Sequence, residues 1–188
     1  MIMNILCIKI VEKLIYFISK KCEISKLTLF FICFSVFTIN SGLGVSKAFG
    51  RSTLEQIMRN KPGIELIYAT RLAMEIDIAA DMYKVPANVL AAICRVESSY
   101  ILEAVNKRSN DFGLMQVNMF NIRAYKLDKY KLTTDMAYAV QNGAMIFSWF
   151  YRRYSLEHSI QRYNGGTAKN VVKWKSTLKY LRLVKKFM

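Results

Sequence analysis

The chain of 188 residues is long enough for one domain with a full hydrophobic core and short for two. It holds only two prolines and eight glycines, which favours a mainly α-helical fold over a β-sandwich or barrel. The net charge of +15 suits an anionic partner such as nucleic acid, anionic lipid or an acidic cell-wall polymer, and charge alone does not choose among them.

Residues 1–48 are predicted to be an export segment and not part of the fold. Three lysines precede the apolar run 27–39, whose thirteen residues suit a signal-peptide core and are few for a membrane span. Small residues stand at the two positions that a signal peptidase reads, so cleavage is expected after Ala48. An uncleaved anchor is the alternative, because the apolar stretch can be extended to Val45. Either form would place residues 49–188 in the periplasm, with membrane contact only through the N-terminal segment.

Two helices are predicted next, from apolar residues that recur at spacings of three and four. The first covers residues 65–83 and ends before Pro86, because a residue that precedes proline avoids the helical conformation. Pro86 then suits the first turn of a second helix, which runs to about Ser99. Residues 106–110 follow as a polar loop.

Three more helices are predicted towards the C-terminus. Thr134 is expected to cap a helix that reaches Tyr151. A short helix begins near Leu156, and the turn-forming residues 163–166 interrupt it. A basic amphipathic helix covers roughly residues 168–186, and we expect its packing on the domain to matter more than attraction to an anionic surface.

Metal and histidine chemistry have little support in this sequence. Three of the four cysteines lie within residues 1–48, and Cys94 is interpreted as a small buried hydrophobe. His158 is the only histidine, which argues against a zinc site or a histidine-based triad. We therefore expect no metal and no cofactor. The export segment and the lack of a recognised nucleic-acid-binding motif argue against nucleic acid as the partner.

Glu97 is the candidate catalytic residue. It lies four residues after Ile93 and seven after Leu90, on the apolar stripe of the second predicted helix. Desolvation there, and the partial negative end of the helix, should raise its pKa, which is what a glycosidic general acid requires. On spacing alone, a surface glutamate paired with a basic neighbour is the better interpretation.

Three short motifs change that interpretation. Glu97-Ser98-Ser99-Tyr100 is followed by Gly-Leu-Met-Gln-Val-Asn at residues 113–118 and by Tyr-Asn-Gly-Gly at residues 163–166. In this order they resemble the E-S-x-aromatic, G-L-M-Q-apolar and Y-N-x-G signatures of the goose-type-lysozyme-like lytic transglycosylases. The resemblance runs from about Ile76 to Tyr180. It implies a mainly α, lysozyme-like catalytic domain after the export segment.

The resemblance implies that a single carboxyl group acts on peptidoglycan. Glu97 would protonate the glycosidic oxygen of the β-1,4 bond between N-acetylmuramic acid and N-acetylglucosamine. As a carboxylate it would then take the proton from the 6-hydroxyl, which closes onto the anomeric carbon and leaves a 1,6-anhydro end. Most glycosidases divide these tasks between two carboxyl groups.

The resemblance also implies substrate-binding residues around Glu97, namely Ser98, Asn106, Gly113, Gln116, Asn118, Tyr163 and Asn164. Gln116 would present its amide to the sugar, and Gly113 would give the sugar and the backbone room to approach. Tyr163 would place its hydroxyl near Glu97. Asn106 and Asn118 depart from a serine and a methionine common in the family, although both amides can still hydrogen-bond.

Two alternatives stay open. Asp111 could hold a water molecule and turn the outcome towards hydrolysis, as in a lysozyme, although a loop aspartate that bonds backbone amides is the preferred interpretation. The domain could instead be an inactive wall-binding scaffold of a secretion apparatus. Its small size and export segment resemble the stand-alone wall-opening enzymes of secretion and conjugation machines, so such machines are expected partners besides peptidoglycan.

Overall fold

The computed structural model describes residues 52–188, and the export segment predicted over residues 1–48 lies outside that part of the chain. The described residues are mainly α-helical, as predicted. Residues 52–60 form helix α1, in a region where no element was predicted. They precede α2 (Leu66–Tyr83) and α3 (Ala87–Ser98), whose bounds match the predicted helices within two residues. None of the helices described here is both long and apolar enough to cross a membrane.

The helix α3 lies at the centre of the domain. Six consecutive residues, 89–94, are buried, so the helix has apolar neighbours on every side and not on one stripe alone. Cys94 is among them, which confirms its interpretation as a buried hydrophobe. Pro86 caps the start of α3 in an extended conformation, where its missing N–H costs no helical hydrogen bond.

The region between α3 and the next long helix holds a small sheet and two short helices, where the sequence predicted only a polar loop. Three strands of two residues each pair antiparallel in the order β1-β2-β3. The elements are β1 (Val105–Asn106), β2 (Asp111–Phe112), β3 (Val117–Asn118), α4 (Met119–Ala124) and α5 (Lys131–Thr134). Strands of this length leave no alternating pattern for a sequence to reveal.

The long helix α6 (Met136–Tyr151) is capped by Asp135 and not by Thr134, so the predicted cap is wrong by one residue. The Asp135 carboxylate accepts a hydrogen bond from the Tyr138 amide at 3.1 Å. Thr134 instead ends α5, and its hydroxyl donates to the Tyr130 carbonyl at 2.9 Å. Both residue types cap helices well, and only the path of the preceding chain decided between them.

Two helices close the domain, α7 (Leu156–Gly165) and α8 (Lys175–Phe187). The helix break predicted over residues 163–166 comes later than expected, because α7 continues through Gly165 and ends at Gly166, whose φ is 79°. The last helix begins about seven residues later than predicted, because a 3-10 turn (Val171–Lys173) precedes it. The expectation that this helix packs on the domain is confirmed by its buried residues, Thr177, Tyr180 and Val184.

The buried apolar side chains form two clusters. The larger one joins α2, α3, α6 and α8 and includes Leu72, Leu90 and Phe147. The smaller one lies beneath the sheet and α4, around Val117, Ile122 and Leu132. Tyr163 packs against both clusters, so it marks the boundary between the two parts of the domain.

Candidate active site

Glu97 is the penultimate residue of α3, and its side chain is half-buried. Its Oε1 accepts a hydrogen bond from the Tyr180 hydroxyl at 2.6 Å. Burial raises the pKa of the carboxyl from 4.5 to about 7, the Tyr180 hydrogen bond opposes that rise, and the charge of Asp111 adds to it. The carboxyl can therefore hold or release a proton near neutral pH, as the sequence predicted from its apolar setting.

Tyr180 is the neighbour of Glu97 that the sequence analysis missed. It lies in α8, is buried, and has a pKa raised well above its usual range by burial and by the charge of Glu97. Its hydroxyl therefore stays protonated and donates to Glu97 throughout the neutral range. One signal was available: Tyr180 lies between Thr177 and Val184 on the buried stripe of α8, and a buried phenol requires a polar partner.

Tyr163 lies near Glu97, as predicted, but its hydroxyl has another hydrogen-bond partner. The hydroxyl donates to the Met115 carbonyl at 2.8 Å, and the ring meets Phe147 edge-on with centroids 6.1 Å apart. Burial and then the charge of Glu97 raise its pKa well above the usual range. Tyr163 thus lies close enough to Glu97 for the carboxylate charge to raise its pKa, and its hydrogen bond to Met115 connects α7 to the loop before β3.

That loop is built by two residues with positive φ. Gly113 (φ 77°) touches the Leu132 carbonyl so closely that a Cβ would lie 1.9 Å from its oxygen, so the lack of a side chain here makes room for α5. Gln116 (φ 47°) donates its side-chain amide to Ala104 O at 3.1 Å and Gly113 O at 2.9 Å. With both amide protons used, Gln116 can offer a sugar only its amide oxygen.

The remaining predicted contacts are spread over the surface or turned inward. Ser98 is buried, and its hydroxyl lies within hydrogen-bond reach of Cys94 O (3.1 Å) and Leu114 O (2.9 Å), so it joins α3 to the loop instead of reaching outward. Asn106, Asn118 and Asn164 are exposed. The first two have local roles: Asn106 Oδ1 accepts backbone amides within its own turn, and Asn118 caps α4.

Asp111 stands in β2, close enough for its charge to act on Glu97. Its side chain accepts a hydrogen bond from the Ser109 hydroxyl, where backbone amides were the predicted partners. Its charge raises the pKa of both Glu97 and Tyr163. The site therefore combines a carboxyl that titrates near neutral pH with a second carboxylate and two protonated tyrosines. No group of three or more His, Cys, Asp or Glu side chains in residues 52–188 is arranged to hold a metal ion.

Comparison with known proteins bears on the same residues. The family model described as "Transglycosylase SLT domain" matches residues 74–181, a range that includes Glu97, Tyr163 and Tyr180. Two curated relatives, each called protein IpgF, come from Shigella flexneri and Shigella sonnei. Each is 31% identical to this chain over 111 residues, which cover 55% of the chain and 72% of the relative.

Proposed function

The chain belongs to the transglycosylase SLT domain family, and we propose that it cleaves the β-1,4 bond between N-acetylmuramic acid and N-acetylglucosamine in peptidoglycan, leaving 1,6-anhydro ends. One observation carries this proposal. Glu97 combines a pKa of about 7 with a hydrogen bond from a buried tyrosine at 2.6 Å. A carboxyl with these properties can serve first as an acid and then as a base at neutral pH.

In the first step Glu97 acts as the acid. Tyr180 donates to Oε1. We therefore assign the proton of the neutral carboxyl to Oε2 and expect this oxygen to meet the substrate. Transfer of this proton to the glycosidic oxygen breaks the bond to the anomeric carbon of N-acetylmuramic acid and frees the N-acetylglucosamine hydroxyl.

In the second step Glu97 acts as the base. The Tyr180 hydroxyl, still protonated, stabilises the carboxylate that the first step produced. Glu97 then takes the proton of the sugar's 6-hydroxyl, and the oxygen of that hydroxyl bonds to the anomeric carbon of the same sugar. The carboxyl regains its proton, no water is consumed, and one glutamate suffices for both steps.

A hydrolytic lysozyme on the same fold is the second candidate, and the effect of the Asp111 charge on Glu97 is the observation that favours it. Its charge acts on Glu97, and a carboxylate so placed could orient a water molecule to attack in place of the 6-hydroxyl. Mass spectrometry of digested peptidoglycan separates the two outcomes. Anhydro ends weigh one water less than reducing ends, so mainly reducing ends would favour the hydrolase.

The proposal is tested with purified peptidoglycan, the wild-type chain and Glu97→Gln. Release of anhydro-ended fragments by the wild type and their absence with the variant would support it. No release by a correctly folded wild type would favour the third possibility, an inactive wall-binding scaffold.

We propose that the chain acts in the periplasm, where it opens the wall locally for an envelope-spanning secretion machine. The support is the sequence of residues 1–48 and the small size of the domain. Expression in a Gram-negative host should yield a periplasmic species that begins near Phe49. Full-length protein in the inner membrane would indicate an uncleaved anchor, and a soluble cytoplasmic form would contradict both versions.

A further inference from the structure

Two residues after Glu97 the chain leaves α3 through a turn that residues with a Cβ adopt with difficulty. Ser99 and Tyr100 both have left-handed conformations, with φ of 54° and 63°. Their amides close α3 by donating to Arg95 O at 3.2 Å and Cys94 O at 3.3 Å. Two such residues in succession persist only where their surroundings fix them.

Three side chains, which we call the turn clamp, supply those fixed contacts. Lys61 Nζ donates to Ser99 O, the Tyr68 hydroxyl donates to Tyr100 O, and Arg95 Nη1 donates to Ser99 Oγ, each at 2.8 Å. Both carbonyls of the turn therefore accept hydrogen bonds from side chains of a distant segment. The Tyr100 side chain is itself only 1% exposed, so the turn is anchored from the inside as well.

The distant segment also contacts the helix that carries Tyr180. Gln56 and Asn60 of α1 donate to Phe187 O, at the end of α8, at 2.8 and 2.7 Å. Arg95 Nε donates back to Asn60 O at 2.8 Å. Residues 52–68 thus hold the ends of both helices that form the Glu97–Tyr180 pair, although they precede the range that matches the family model, which begins at residue 74.

We propose that Lys61 and Tyr68 are positioning residues for Glu97. By holding the Ser99–Tyr100 turn, they keep the Glu97 carboxyl in its half-buried place against Tyr180. The catalytic meaning of this role rests on the function proposed above. A purely structural clamp would contribute to stability and leave the carboxyl's environment and the chemical step unchanged.

The direction of the pKa change separates the two roles. Tyr180 in α8 and Asp111 in β2 act on the Glu97 carboxyl, whose charge in turn acts on Tyr163 in α7 and Cys94 in α3. A loosened turn would admit water to the carboxyl and lower its pKa, because burial is the main cause of the rise. Direct loss of the Lys61 charge would have the opposite sign, since a cation favours the carboxylate.

The experiment titrates Glu97 by carbon-13 NMR in the full chain, with labelled glutamate and the resonance assigned by its absence in Glu97→Gln. In Lys61→Met and in Tyr68→Phe the pKa of Glu97 should fall by at least about one unit. A change of this size is typical of the effect that a protein environment has on a carboxyl pKa. With peptidoglycan as substrate, kcat should fall about ten- to a hundredfold while KM changes less, as for a small misplacement of a catalytic group.

Two controls keep the readout specific. Lys84→Met removes another surface cation, the exposed partner of Asp81, and should leave the Glu97 pKa and kcat unchanged. Lys61→Arg retains a donor for Ser99 O and should keep the Glu97 pKa and kcat at their wild-type values.

A Ser99→Gly background gives a further test. There the fall in kcat caused by Lys61→Met should be smaller, because glycine adopts the left-handed conformation without a Cβ penalty.

An unchanged Glu97 pKa in folded Lys61→Met and Tyr68→Phe would overturn the inference, and so would a rise in pKa with Lys61→Met. If Lys61→Met does not fold, Tyr68→Phe decides, since it removes one hydroxyl and no charge. The titration needs no substrate. A wild type that releases no peptidoglycan fragments would therefore refute the proposed function, while the clamp would still be judged by the Glu97 titration.

Discussion

Replacing Glu97 by glutamine should abolish peptidoglycan cleavage and, above neutral pH, stabilise the fold. The amide keeps the shape of the carboxyl and can still accept the hydrogen bond from Tyr180 at Oε1, but it donates no proton to a leaving group. On the usual scale of general acid catalysis the loss of rate should be at least about 100-fold. The gain in stability follows from the pKa of the wild-type carboxyl.

The size of that gain can be worked from the pKa. Glu97 has a pKa of about 7 in the folded chain and 4.5 as its ordinary value. Between these values the folded state binds a proton that the unfolded state has released, so the unfolding free energy contributed by Glu97 falls as pH rises. At about 1.4 kcal/mol per unit, the ionised carboxyl costs the folded state up to about 3 kcal/mol above pH 7. The glutamine variant escapes this cost.

Urea denaturation of the wild type and Glu97→Gln across this pH range measures the difference. The two unfolding free energies should nearly coincide below pH 4.5, diverge between 4.5 and 7, and differ by up to about 3 kcal/mol above pH 7. Glu65→Gln at an exposed site is the matched control and should stay within about 0.5 kcal/mol of the wild type. A Glu97→Gln variant that is no more stable than wild type above pH 7, or that keeps full activity, would refute the reasoning.

Three further substitutions test the surroundings of Glu97. Tyr180→Phe removes the hydrogen bond that stabilises the carboxylate, so kcat should fall about ten- to a hundredfold and the alkaline limb of the pH–rate profile should move to higher pH. Asp111→Asn removes a charge that favours the protonated acid, so the alkaline limb should move to lower pH and the rate should fall less than about tenfold; a larger loss would indicate a second catalytic carboxylate. Gly113→Ala forces a Cβ against the Leu132 carbonyl at positive φ and should cost at least about 2 kcal/mol in urea denaturation, and an unchanged midpoint would contradict the structure.

Several residues that were predicted to contact the substrate also make structural contacts within the protein. Ser98 joins α3 to Leu114, Gly113 admits the Leu132 carbonyl, and Tyr163 bonds to Met115. Each of these residues lies beside the site and shapes it from within. A motif reveals which residue types stand together in the chain, but the partner of a hydroxyl or the neighbour of a glycine belongs to another segment.

The sequence by itself determined the helices with strong periodicity and the apolar setting of Glu97. Spacings of three and four are local, so α2 and α3 and the burial of Cys94 could be predicted from neighbouring residues, whereas for Glu97 spacing alone favoured a surface position. Only the tertiary structure decided which groups meet the carboxyl. Tyr180 lies 83 residues further along the chain and Lys61 lies 38 residues before the turn it holds. Contacts over such separations depend on how α1, α3 and α8 pack, and no local pattern encodes that packing.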